Sequence, residues 1–116
     1  MIKTFEEACE VLGMSSVIPD FDFLIGRSKK QHIALYKLTI ITIALNDGWV
    51  PNWDDENEYK YFPLFNHISG LSFSGVNFTW TGSSSVVDAN VCFKTSELAQ
   101  HAGKTFIQLF KDLLQR

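Results

Sequence analysis

"LSFSGVNFTW", residues 71–80, is where the chain changes period. Leu71 and Phe73 alternate with Ser72 and Ser74, then Val76, Phe78 and Trp80 alternate with Asn77 and Thr79. A two-residue repeat puts apolar side chains on one face of a strand. The parity slips across Gly75, which predicts a bulge or tight turn there. "TGSSS", residues 81–85, has the composition of a hairpin tip, and Val87, Ala89, Val91 and Phe93 then alternate with Asp88, Asn90 and Cys92. With "YKYF" at residues 59–62, these segments predict a small antiparallel sheet of three to four strands.

Helical spacing lies on both sides of that sheet. Near the N-terminus, Thr4 and Glu7 have the spacing of a capping box, Phe5, Ala8, Cys9 and Leu12 share a face, and Gly13 is a natural stop. Residues 14–27 read as a packed loop, with Pro19 breaking any helix and Val17, Ile18, Phe21, Phe23, Leu24 and Ile25 as anchors. Ser28 and Gln31 repeat the capping spacing ahead of a second helix over residues 29–46, apolar on most sides, with Gly48 just past its end. A last helix follows Thr95, with Glu97 in its first turn and a stripe of Leu98, Ala102, Phe106, Leu109, Phe110 and Leu113. Gly103 beside Ala99 and Ala102 leaves room for another element to approach closely. The expected fold is α+β in a single domain over residues 1–116: two N-terminal helices, the sheet, and a C-terminal helix packed on it.

Composition narrows the function. With 46% hydrophobic and 20% charged residues the chain should fold, and one domain of 116 residues buries roughly two-thirds of its unfolded surface. Sixteen aromatics, ten of them Phe, are many for so small an interior, so some should line a pocket or an interface. A net charge of −3 argues against a protein that grips nucleic acid through its phosphates. Cys9 and Cys92 are far apart and suggest neither a zinc site nor a disulfide framework. The N-terminus lacks the apolar run of a signal peptide, and the apolar segment 33–45 is too short to span a bilayer. A soluble cytoplasmic protein is the expectation.

Catalytic motifs are sparse. His32, His67 and His101 lie on separate elements, without metal-ligand spacing, and there is no phosphate-binding glycine loop or nucleophile elbow. Neither a catalytic residue nor a cofactor or metal is assigned; a hydrolase using His67 or His101 is the weakest of three readings. Asp54, Asp55, Glu56 and Glu58 lack the pattern of a calcium loop and read as a solvated surface.

Two groups remain. Residues 49–65, "WVPNWDDENEYKYFPLF", hold six large aromatics. Phe62 and Phe65, with Phe78, read as core, whereas Trp49, Trp53, Tyr59, Tyr61 and Trp80 suit pocket walls or interfaces, because each pairs an apolar ring with a polar tip. Alternation puts Tyr59 and Tyr61 on one face and Lys60 and Phe62 on the other. The second group is Arg27, Lys29 and Lys30, crowded where a helix N-terminus would itself receive an anion.

Three motifs occur together: W-x-P-x-W at Trp49, Pro51 and Trp53; K-Y-F-P-x-F at residues 60–65; and C-F-K-T-S-E-L-A-x-x-x-G-K-x-F at residues 92–106. With "KTFEEACEVLG" at residues 3–13, they resemble a family of short uncharacterised proteins of Bacteroidota phages and prophages. That resemblance implies a small phage-associated protein in a bacterial cytoplasm, and it carries no catalytic residue over. The leading expectation is a non-enzymatic binding protein, homo-oligomeric, that sequesters a small anionic ligand such as a defence-signalling nucleotide. Its rings would stack on Trp49, Trp53, Tyr59, Tyr61 or Trp80, and Arg27, Lys29, Lys30 and Lys60 would meet phosphate. The alternative is an interaction module that docks a host or virion protein.

Overall fold

The computed structural model describes residues 1–80 and 90–114. Its class is α+β. Among the described residues it contains helices α1 (Phe5–Leu12), α2 (Gly26–Asn46), α3 (Ser96–Thr105) and α4 (Ile107–Leu114), and antiparallel strands β1 (Lys60–Asn66) and β2 (Ser72–Thr79). None of these helices is long and apolar enough to cross a membrane.

Local chemistry sets most boundaries. Thr4 Oγ1 accepts from Glu7 N at 3.1 Å, Glu7 reaches back to Lys3 N at 3.3 Å, and Gly13 closes α1 in a left-handed conformation with φ 66°. Thr95 caps α3 in the same way, accepting from Leu98 N at 3.1 Å. The start of α2 departs from expectation. It begins at Gly26, two residues ahead of Ser28, so the N-cap is Ile25, which has no side-chain acceptor, while the Gln31 amide donates to Leu113 O at 3.1 Å.

Among the described residues the sheet has two strands. β1 and β2 form a two-stranded ladder running from Lys60↔Thr79 to Asn66↔Ser72, and the register slips where Leu64 faces Gly75 but Phe65 faces Phe73. That slip leaves Ser74 as the extra residue beside Gly75, whose φ of 147° suits glycine alone. The expected tip at residues 81–85 and the first part of the expected strand at 87–93 lie outside the described residues. Of the remainder, Phe93 makes an isolated antiparallel bridge to Tyr61.

The core joins α1, α2 and the C-terminal helices. Phe5, Ala8, Leu38, Ile41, Phe93, Ala102, Phe106 and Phe110 are among its buried members. α3 lies on the hairpin so closely that a Cβ on Gly103 would sit 2.5 Å from the Phe73 ring and 2.8 Å from Pro63 Cβ. The apolar stripe is continuous in sequence, but the helix breaks at Phe106 (φ −106°, ψ 28°), which re-aims α4 toward α2.

Candidate functional site

The stretch from Trp49 to Phe65 is organised by one buried cation. Lys60 opens β1 with its side chain on the opposite face from Tyr59 and Tyr61, and it is 0% exposed. Its ammonium donates to Asp55 O at 3.1 Å and to Trp80 O at 2.8 Å, pairs with Glu58 Oε1 at 3.4 Å, and lies 5.2 Å from the centre of the Trp53 ring. A lysine is almost never fully buried unless it is paired in this way. Lys60 therefore does not present its charge to a phosphate, as the sequence suggested. It fastens the loop before β1 to the end of β2.

That loop folds through its own polar side chains. Asn52 Oδ1 accepts from Asp54 N at 3.0 Å, Asp55 Oδ1 accepts from Asn57 N at 2.9 Å, and Glu58 Oε1 accepts from Asn52 N at 2.7 Å. Such short-range bonds are what Asn and Asp offer a turn. Among the described residues, no group of three or more His, Cys, Asp or Glu side chains is placed to hold a metal ion.

Two aromatic surfaces result. The first is the end of the hairpin. Tyr59 stacks on Phe78 (centroids 5.0 Å apart, 17° between planes), and Trp80 meets both edge-on at 5.3 and 5.2 Å. Tyr61 joins the group at a longer spacing, 6.1 Å from Tyr59 and 6.2 Å from Phe78. Tyr59, Phe78 and Trp80 are 45%, 43% and 42% exposed. Phe78 had the sequence pattern of a core residue; instead it lies near the end of β2, beyond the part of the hairpin that α3 and α4 cover.

The second surface is a cleft of about 450 Å³ between the C-terminal half of α2 and residues 48–53. Thr39, Thr42, Ile43 and Asn46 form one wall, Trp49, Val50, Pro51 and Trp53 the other, and Asn90 and Cys92 also line it. Asn46 is buried and holds α2 to the next segment, its amide donating to Cys92 O at 3.0 Å and its carbonyl accepting from Lys94 N at 3.1 Å. Asn46, Thr39 and Phe78 carried no functional signal in the sequence.

The basic group is elsewhere. Arg27, Lys29 and Lys30 occupy the first turns of α2, and Trp49 follows its other end; at 1.5 Å per residue, Arg27 and Asn46 are about 28 Å apart along the axis. Two of the three cations already have acidic partners, Lys29 with Asp22 at 2.5 Å and Lys30 with Asp112 at 3.6 Å. The hydrogen bond and charge of Lys29 hold the Asp22 carboxyl below its ordinary pKa, and Asp22 raises Lys29 by the same contacts. The nine residues singled out in the sequence thus divide into a basic helix start, a Trp49–Trp53 cleft, an aromatic hairpin end and the buried Lys60.

Histidine geometry is structural where it is defined. His101 Nε2 contacts Ile2 O at 2.5 Å and its Nδ1 contacts Thr105 Oγ1 at 3.2 Å, tying α3 to the N-terminus. His67 is exposed in the turn between β1 and β2. Cys9 and Cys92 are both buried. Comparison with family models, with curated proteins and with solved structures returns no match.

Proposed function

We propose that the protein is a non-enzymatic binding module that docks a protein partner through the exposed end of its hairpin. The observation that carries this reading is the Tyr59–Phe78–Trp80 cluster: three rings in mutual contact, each more than two-fifths exposed. Rings left exposed at the rim of a small domain lose their hydration when a partner covers them, and clustered Trp and Tyr are the side chains that dominate binding energy at interfaces. The setting implied by the sequence resemblance, a phage protein in a bacterial host, makes a host or virion protein the natural occupant.

The anionic-ligand reading draws less support. Trp49 and the basic group lie at opposite ends of α2, Lys29 and Lys30 are paired with Asp22 and Asp112, and Lys60 is committed to internal partners. Native mass spectrometry distinguishes the two. Docking predicts no retained nucleotide from a panel of linear and cyclic compounds, and a protein complex that Trp80→Ala weakens about thirtyfold or more, the effect of losing about 2 kcal/mol. A nucleotide-sized mass that Arg27→Ala removes would transfer the assignment to ligand sequestration.

A second copy of the chain could use the same face, in keeping with the expected homo-oligomer. Sedimentation of the wild type against Trp80→Asp separates self-association from a foreign partner.

A further inference from the structure

We propose that the cleft between α2 and residues 48–53 binds an organic cation: an ammonium or guanidinium group carried on an apolar stem. This site is separate from the hairpin end, and it stands or falls independently of the docking face.

The walls set the shape of the ligand. At about 450 Å³ the cleft is in the range that encloses small molecules or a long side chain. Ile43, Val50 and Pro51 supply apolar surface for a stem, and Trp49 and Trp53 add indole rings to the wall. Indole is the best aromatic receptor for a cation, and Trp53 already performs that role internally toward Lys60 at 5.2 Å.

The polar groups set its charge. The hydroxyls of Thr39 and Thr42 donate to Leu35 O and Leu38 O at 2.8 and 2.7 Å, so their hydrogens are committed to the helix and their lone pairs remain to accept. A ligand group that bonds to either hydroxyl must donate. The cleft also lies at the C-terminal half of α2, the negative end of the helix dipole, and the last turn has no basic residue to offset it. Between Asp47 and Lys60 the chain carries five carboxylates against one lysine, and that lysine is paired with Glu58. Asp47, Asp54, Asp55 and Glu56 are exposed around the lining segment. The Thr39 and Thr42 lone pairs can receive a donor, and the dipole and net charge favour a cation over a carboxylate or phosphate.

The test follows the indole N–H resonances of Trp49 and Trp53 in ¹⁵N-labelled protein, with butylguanidinium and butyltrimethylammonium as probes and pentanoate as the anion of matching size. The expected result is saturable shifts of both resonances with the cations and none with pentanoate. Trp49→Leu should weaken cation binding about tenfold. Asp54→Asn with Asp55→Asn and Glu56→Gln should weaken it about threefold at low salt, with the difference shrinking as salt is raised. These surface changes leave the Lys60 contacts in place, so a folding defect does not obscure the result. A short arginine-containing peptide that binds more tightly than butylguanidinium would identify the source of the cation as a protein side chain, and equal affinity would identify a free amine. Equal binding of pentanoate, or cation shifts unchanged by Trp49→Leu, would overturn the assignment.

Discussion

Replacing Lys60 by Met keeps the length and apolar stem of the side chain while deleting its charge. The structure places four interactions on that ammonium: hydrogen bonds to Asp55 O and Trp80 O, the ion pair with Glu58, and the face of Trp53. Hydrogen bonds from a charged donor contribute about 1.5–3 kcal/mol each. Against them stands the cost of desolvating the lysine, which Met does not incur, so part of the loss is returned. The net expectation is destabilisation by about 2–3 kcal/mol. With about 2.1 cal/mol/K of unfolding entropy per residue, that is a fall in Tm of about 8–12 °C. Urea unfolding followed by tryptophan emission measures the free energy and reports on Trp53 and Trp80 together. Glu58→Gln in both backgrounds completes a cycle, and the ion pair predicts that its effect shrinks once Lys60 is gone. A change within about 0.5 kcal/mol for Lys60→Met would refute the reasoning, since it would mean the four contacts only balance the burial of the charge.

The other expectations are shorter. Gly103→Ala should destabilise by about 1–3 kcal/mol despite the better helix propensity of alanine, because the new methyl meets Phe73 and Pro63 at under 3 Å; thermal melts with Gln100→Ala as an exposed control on the same helix check this. Asn46→Leu removes two hydrogen bonds between α2 and residues 92–94, and should cost about 2–4 kcal/mol in urea unfolding; Asn46→Asp, which keeps the acceptor for Lys94 N but sets a buried carboxylate oxygen against Cys92 O at the negative end of α2, should cost at least as much near neutral pH. The Asp22 carboxyl should titrate below its ordinary range in a ¹³C NMR experiment and return toward it in Lys29→Ala. Because its folded pKa is lowered, the small stabilisation from this exposed pair is present above the unfolded value and disappears as pH falls through the folded one. For Lys29, raised by Asp22, the contribution is complete below the ordinary lysine range and is lost as pH rises through the folded value.

What the sequence revealed was chiefly local. The Thr4 and Thr95 caps, the Gly13 stop, the slip at Gly75 and the gap at Gly103 each depend on neighbours a few residues away or on the absence of a side chain. Three features depended on distant partners. Gln31 had the spacing of a capping residue, but Leu113 O, 82 positions away, bonds it instead. Lys60 reads as a surface cation because nothing beside it shows that Trp80 O and the Asp55 loop will enclose it. Phe78 alternates as a core residue should, yet whether a strand face is covered depends on where α3 and α4 end.

The candidate site was legible in its residue types and not in its grouping. Trp49 and Trp53 line a cleft, and Tyr59 and Trp80 are exposed rings with the half-buried Tyr61 beside Tyr59. The expected helix between the basic group and Trp49 already implied their separation, since its length alone keeps Arg27 from the tryptophans. No comparable rule would have divided the rings into two surfaces with Lys60 between them.

The docking account is tested most directly by placing a photo-crosslinking phenylalanine analogue at Phe78 and irradiating bacterial cells that express the protein. A matched substitution at Val11, exposed on α1, serves as the control position. The account predicts one discrete adduct from Phe78, absent from Val11 and lost when Trp80→Ala is added, with a partner that mass spectrometry identifies. No adduct from Phe78, or the same adducts from both positions regardless of Trp80, would contradict it.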